Sequence, residues 1–160
     1  MIVLALLLAV GSGAIWFINR SQLHSGGDPR GAILSSIRTE VNAAIPAGAK
    51  ITKIHSRDSR WVSSGCDGES GWTSPTYNVT FTTGDSQSIV TDTAAAVFTS
   101  EGWKPFSTQP NSPGIYKSWF RPVPDPASIG LYGEDPPNLP PGMWQIGGDV
   151  PPQGQIYGGC

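Results

Sequence analysis

Charge is scarce in this sequence. Ten Lys and Arg and twelve Asp and Glu leave a formal net charge of −2 and make up 14% of 160 residues, where about a quarter is usual for a soluble domain. A chain held open by its own charge is thereby excluded. So is a phosphate backbone as partner, because ten dispersed cations give no basic footprint and no nucleic acid is expected to bind. Histidine is rarer still, with two residues, His24 and His55. No G-x-S-x-G elbow, H-E-x-x-H pair, phosphate loop or dinucleotide fingerprint occurs. The sequence therefore assigns no catalytic residue, cofactor or metal. Asp67 and Glu69 around Gly68 do not continue into the spacing of a calcium loop and read as a solvated turn.

Glycine and proline are plentiful, with 20 and 15 residues, and apolar residues make up 38%. That is enough for the core of one small domain and not for two. The apolar residues are not spread evenly. Met1 to Ile18 reads MIVLALLLAVGSGAIWFI without a charge before Asn19 and Arg20. A hydrocarbon core of about 30 Å needs about 20 apolar residues, with about 17 as a lower bound, so residues 1–18 suit a short spanning helix with Trp16, Phe17 and Arg20 at its interface. The competing reading is a cleaved signal peptide. It would place its hydrophobic region at Ile2 to Val10 and its cleavage site near Ser12-Gly13-Ala14, but it lacks a positive amino-terminal region. The retained anchor is the better fit, since the apolar run continues past that site. Residues 10–20 contain no cysteine to carry a lipid.

Arg20, Arg30 and Arg38 follow this segment, and by the positive-inside rule alone they would place the body in the cytoplasm. The two cysteines argue the other way. Cys66 and Cys160 have no metal-ligand spacing around them, and a disulfide is the economical pairing. It would close a loop of more than 90 residues, worth about 4 to 5 kcal/mol in the chain-entropy model. Two unrelated free thiols are the alternative. Prenylation of Cys160 is excluded because it requires a Cys four residues from the end.

Residues 19–27, NRSQLHSGG, form a polar linker. The folded part is expected over 28–121, with a Pro- and Gly-rich extension over 122–160 that returns to it. Asp28-Pro29 is a helix start, and Ile33, Leu34, Ile37, Val41, Ala44 and Ile45 recur with helical period until Pro46 and Gly48. Residues 49–62 read as one strand or extended arm, and Tyr77, Val79 and Phe81 alternate as a half-buried strand. Asp85 as cap, Ile89 to Phe98 at helical spacing and Gly102 as a stop signal a second helix. Residues 103–107 and 115–120 form hairpin arms around QPNSPG, residues 127–132 form a strand, and Met143 to Ile146 a short edge strand. The extension from 122 holds nine prolines and no Lys or Arg, which excludes long helices. Hairpin-linked strands with two helices predict an α+β fold, an antiparallel sheet covered on one face by helices.

Cys66-Asp67-Gly68 with Gly71-Trp72, the later Gly102-Trp103, Trp144-Gln145-Ile146 and Pro151-Pro152-Gln153-Gly154 before a terminal Cys160 resemble a pattern of actinobacterial envelope proteins, which are small and secreted or lipid-anchored. The resemblance spans residues 30–160. It implies a bridge between the two cysteines with Trp residues packed beside it. This chain departs from the lipoprotein members in having no anchor cysteine, which favours the amino-terminal helix as anchor.

Two surfaces stand out. Lys53, His55 and Arg57 share one strand parity, with Lys50 and Arg60 beside them, and would project together toward anionic headgroups or simply form a solvated face. Trp72, Trp103, Trp119 and Trp144, with Trp61, would either stack on sugars or a partner protein, or fill a small core, as the size of the domain favours. Asn78-Val79-Thr80 matches a glycosylation sequon but lies on a strand pattern. The sequence thus points to a membrane-anchored, extracytoplasmic accessory protein of the cell envelope, non-enzymatic, and secreted if the leader is cleaved. Its expected partners are the membrane, through the amino-terminal helix, and an envelope protein or glycan. The alternatives are a carbohydrate-binding module and an envelope hydrolase or metal-dependent enzyme built on His55, Asp58 and Asp67.

Overall fold

The computed structural model of the chain describes residues 28, 30–63, 70–106, 115–122, 125–133, 139–140 and 142–154. The apolar run 1–18, the linker 19–27, the QPNSPG loop, Asp67 and both cysteines lie outside the described residues. No helix among the described residues is long and apolar enough to cross a membrane.

The first helix, α1 (Gly31–Ala43), begins two residues later than the Asp28-Pro29 start expected from the sequence, with Arg30 rather than Asp28 at the N-cap position and no side chain capping it. The Asp28 carboxylate accepts the Arg30 N–H at 2.9 Å and the Asp28 carbonyl accepts the Gly31 N–H at 3.0 Å, so donors left over at a helix start are used. Its apolar stripe of Leu34, Ile37, Val41 and Ala44 is buried. The second helix, α2 (Gln87–Ser100), is capped by Ser86 rather than the expected Asp85, whose carboxylate instead accepts the Thr83 hydroxyl at 2.8 Å. Gly102, with φ +81°, ends it as expected. The Trp103 N–H reaches the Phe98 carbonyl at 2.9 Å and the Gly102 N–H reaches the Thr99 carbonyl at 3.1 Å. The Phe98 and Trp103 rings meet edge to face at 6.1 Å, which completes a Schellman end with its apolar contact.

The strands are β1 (Lys50–Arg57), β2 (Trp61–Ser63), β3 (Ser70–Trp72), β4 (Thr76–Thr82), β5 (Lys104–Phe106), β6 (Ile115–Arg121), β7 (Ala127–Tyr132), β8 (Met143–Asp149) and β9 (Gln153–Gly154). Six of them form an antiparallel sheet in the order β1-β4-β8-β7-β6-β5, and β2-β3-β9 form a smaller one. The fold is α+β. Residues 49–62 are not a single strand, because the chain leaves the large sheet after Arg57 and enters the small one at Trp61. Nor is Met143 to Ile146 an edge: β8 runs on to Asp149 and sits inside the sheet between β4 and β7. Two consecutive glycines, Gly147 and Gly148, disguise its second half as a turn.

Both helices cover the same face, α1 over β4 and β8, α2 over β5 and β6. Val79, Phe81, Trp119, Ile129, Leu131, Trp144 and Ile146 point into that layer and are buried. The alternation on β4 and β7 follows directly, since a strand with one face on a core buries every second residue. Two polar clusters join the layers. Arg30 donates to Asp28 at 2.8 Å, to Ser59 Oγ at 3.0 Å, to the Thr73 carbonyl at 3.1 Å and to the Pro151 carbonyl, tying α1 to the links between the two sheets. Glu40, 6% exposed, accepts the Trp103 indole N–H at 2.6 Å, Arg121 at 2.8 Å and the Ser36 hydroxyl at 2.5 Å. Arg121 also stacks on the Trp103 ring at 4.4 Å, so the buried charge is paired and hydrogen-bonded on all sides.

Candidate functional site: the helix-free face of the sheet

The side of the six-stranded sheet away from the helices is polar. Residues opposite one another on neighbouring strands share a face, and the register lays out two rows across it. One runs His55, Asn78, Gly147, Gly130, Ser118, Phe106; the next runs Arg57, Thr76, Asp149, Ser128, Phe120, Lys104. Lys53 faces Thr80 in the adjacent row. The shared parity of Lys53, His55 and Arg57 is therefore realised, on the edge strand and exposed to solvent. Basic side chains on a free edge also hinder pairing with another chain, as does the irregularity between Ile51 and Lys53, where Thr52 donates to the Thr80 carbonyl at 3.1 Å.

Inward of this edge the face sinks into a cavity of about 430 Å³ lined by Arg57, Thr76, Asn78, Ser118, Ser128, Tyr132 and Asp149 among others, over a floor that includes Gly130 and Gly147. The two glycines stand opposite each other on β7 and β8, in the middle of the sheet. Glycine weakens a strand interior and often marks a close approach, and here the approach is by side chains. A Cβ on Gly130 would come within 2.8 Å of the Tyr132 ring, and one on Gly147 within 2.0 Å of Asn78 Oδ1 and 2.6 Å of the Tyr77 carbonyl. The glycines thus let the Tyr132 ring and the Asn78 amide lie down across the sheet. Ser128 donates to Asp149 at 2.6 Å, Arg57 donates to the Ser74 carbonyl at 3.3 Å, and Ser118 Oγ is buried with no hydrogen-bond partner among the described residues.

The tryptophans separate. Trp103, Trp119 and Trp144 are each 2% exposed and belong to the core, so they are not part of a binding surface. The cause is register and capping: Trp119 stands opposite Ile129 and Trp144 opposite Phe81 on the helix side, while Trp103 is drawn in by the end of α2 and by Glu40. Trp72 is half-buried in the small sheet, edge to face with Trp61 at 5.5 Å, apart from the two rows. The proposed catalytic set is separated as well. His55 faces the open side, whereas the Asp58 carboxylate is bound by Arg38 of α1 at 2.7 Å. Asp67, its third member, lies outside the described residues. Among the described residues no group of three or more His, Cys, Asp or Glu could hold a metal ion.

Sequence reasoning found the basic stripe and missed the cavity. Asn78, Ser118, Ser128, Tyr132 and Asp149 come from four strands and share no motif, Asn78 standing only in a glycosylation sequon, and the available signal was glycine inside strand patterns at Gly130 and Gly147. No protein-family model, curated protein or solved structure matches the chain.

Proposed function

We propose that this chain is a non-enzymatic binding domain of the cell envelope, held at a membrane by residues 1–18, and that the helix-free face of its sheet is the recognition surface. The observation that carries this reading is the inequality of the two faces: one is sealed by both helices, while the other is polar, open and hollowed by a cavity. Pockets with a few convergent polar groups are where small ligands bind. The dispersal of His55 and Asp58 to opposite sides favours binding over hydrolysis.

The oxidising compartment is part of the same reading. Strands β3 and β9 are antiparallel, with Gly71 opposite Gly154. Cys66 precedes Gly71 by five residues and Cys160 follows Gly154 by six, so the two strands lead toward both cysteines from one end of the pair. A Cys66–Cys160 disulfide fits that direction of travel, as does the resemblance to envelope proteins.

Placing a photoreactive phenylalanine analogue at single positions of the full chain in native membranes tests the assignment of the face. Adducts are expected from His55 or Thr80 on the open side and not from Thr39 of α1 or Ala96 of α2, which are exposed on the helices. Adducts from the helix positions, or from none of the four, would overturn it.

A further inference from the structure

Resting on that reading of the open face, we infer that the cavity takes a saccharide ring, with Tyr132 as its stacking platform. The placement of Tyr132 is the starting point. Its ring lies across Gly130, where any other residue would hold it off the sheet, and it lines the cavity. A ring laid flat offers its electron-rich face to whatever sits above it, and the C–H groups on one side of a pyranose or furanose are the complementary surface.

The groups around the platform suit hydroxyls. The Asn78 amide offers both donors and an acceptor. The Asp149 carboxylate has about four acceptor sites, one used by Ser128, and Arg57 brings a planar set of donors at the rim. One cation and one anion line the cavity, which selects a neutral ligand over a phosphate or a polyanion. Ser118 supplies an independent observation. A buried hydroxyl without a partner costs free energy; Ser118 lines the cavity with its Oγ closed off from solvent, and a rotation of the side chain toward the cavity would let a ligand hydroxyl satisfy it. The volume of about 430 Å³ falls within the range of small-ligand sites, roughly 300–1,000 Å³. An extended peptide fits less well, since the cavity lies on the face of the sheet, where no strand edge offers a backbone ladder. Beyond the cavity Phe106 and Phe120, edge to face at 6.1 Å, stand opposite Ser118 and Ser128 and continue an apolar path for a second sugar unit.

The test is saturation-transfer NMR on the full chain in phosphocholine nanodiscs, avoiding glycoside detergents. The probes are a panel of methyl glycosides of glucose, galactose, mannose, arabinose and N-acetylglucosamine, their disaccharides, and a Gly-Ser dipeptide. At least one saccharide is expected to bind. Tyr132→Phe should keep its affinity within about threefold, while Tyr132→Ala, Asn78→Ala and Asp149→Ala should each lower it at least tenfold. Ser118→Ala separates a binding role from a folding one: affinity should fall several-fold while the melting temperature stays level or rises. Binding of no sugar in the panel by a folded chain, binding of the dipeptide alone, or affinity untouched by Tyr132→Ala and Ser118→Ala would overturn the inference. Should sugars fail while crosslinks still form only from the open side, the saccharide is wrong and the recognition face stands; loss of both results removes both.

Discussion

Among the described residues the two buried charged side chains, Arg30 and Glu40, are each ion-paired and hydrogen-bonded. Asp28, the partner of Arg30, carries a pH consequence. Burial pushes its carboxyl pKa up, but hydrogen bonds from Arg30 and Ser59 and the Arg30 charge outweigh burial and hold it below the ordinary value of 3.8. A folded-state pKa below the unfolded one stabilises the fold above the unfolded value, and that stabilisation is lost as pH falls through the lowered folded value. Urea unfolding followed from pH 6 to below pH 4 should therefore show a loss that Asp28→Asn reduces. Glu40 makes a larger claim. Replacing it with Ala would leave Arg121 and the Trp103 indole without their shared acceptor, and removing one member of a buried pair costs about 3–5 kcal/mol. Denaturant midpoints of Glu40→Ala measure this; a change below about 1 kcal/mol, as for a surface pair, would show the cluster to be solvent-accessible.

At the scale of elements, close contacts set how the helices seat and stop. Gly148 faces α1, and a Cβ there would lie 2.7 Å from the Ser128 carbonyl, 2.9 Å from Ile129 and 3.1 Å from Ile37. A backbone oxygen cannot swing aside, so Gly148→Ala should cost about 1–3 kcal/mol as an overpacked core does, read as a lower melting temperature. Gly102→Ala should cost about 1 kcal/mol through its positive φ. Both helices and β7 were legible in the sequence because their signals are local: a stripe at helical spacing, a cap, a stop, an alternation in 127–132. Strand β8 was legible only in its first half, Met143 to Ile146, and its central position was not, since its place between β4 and β7 depends on partners about 65 and 15 residues away, and Gly147-Gly148 resembles a turn. The break between β1 and β2 carries no Gly or Pro to announce it. The cavity was hidden for the same reason as the position of β8, because its walls meet only once distant strands pair.

The whole molecule is a large sheet with one face sealed by helices and the other open, joined to the small sheet β2-β3-β9. Strands β7 and β8, from the Pro-rich stretch after residue 121, form the middle of the large sheet. Under the proposed function the open face is a binding surface that works on the oxidising side of a membrane. The most direct measurement is the mass of the full chain taken from its own membrane, alkylated without reductant. The account predicts a chain two hydrogen atoms lighter than its reduced form, unmodified at Cys66 and Cys160; two alkylated thiols on that chain would contradict it.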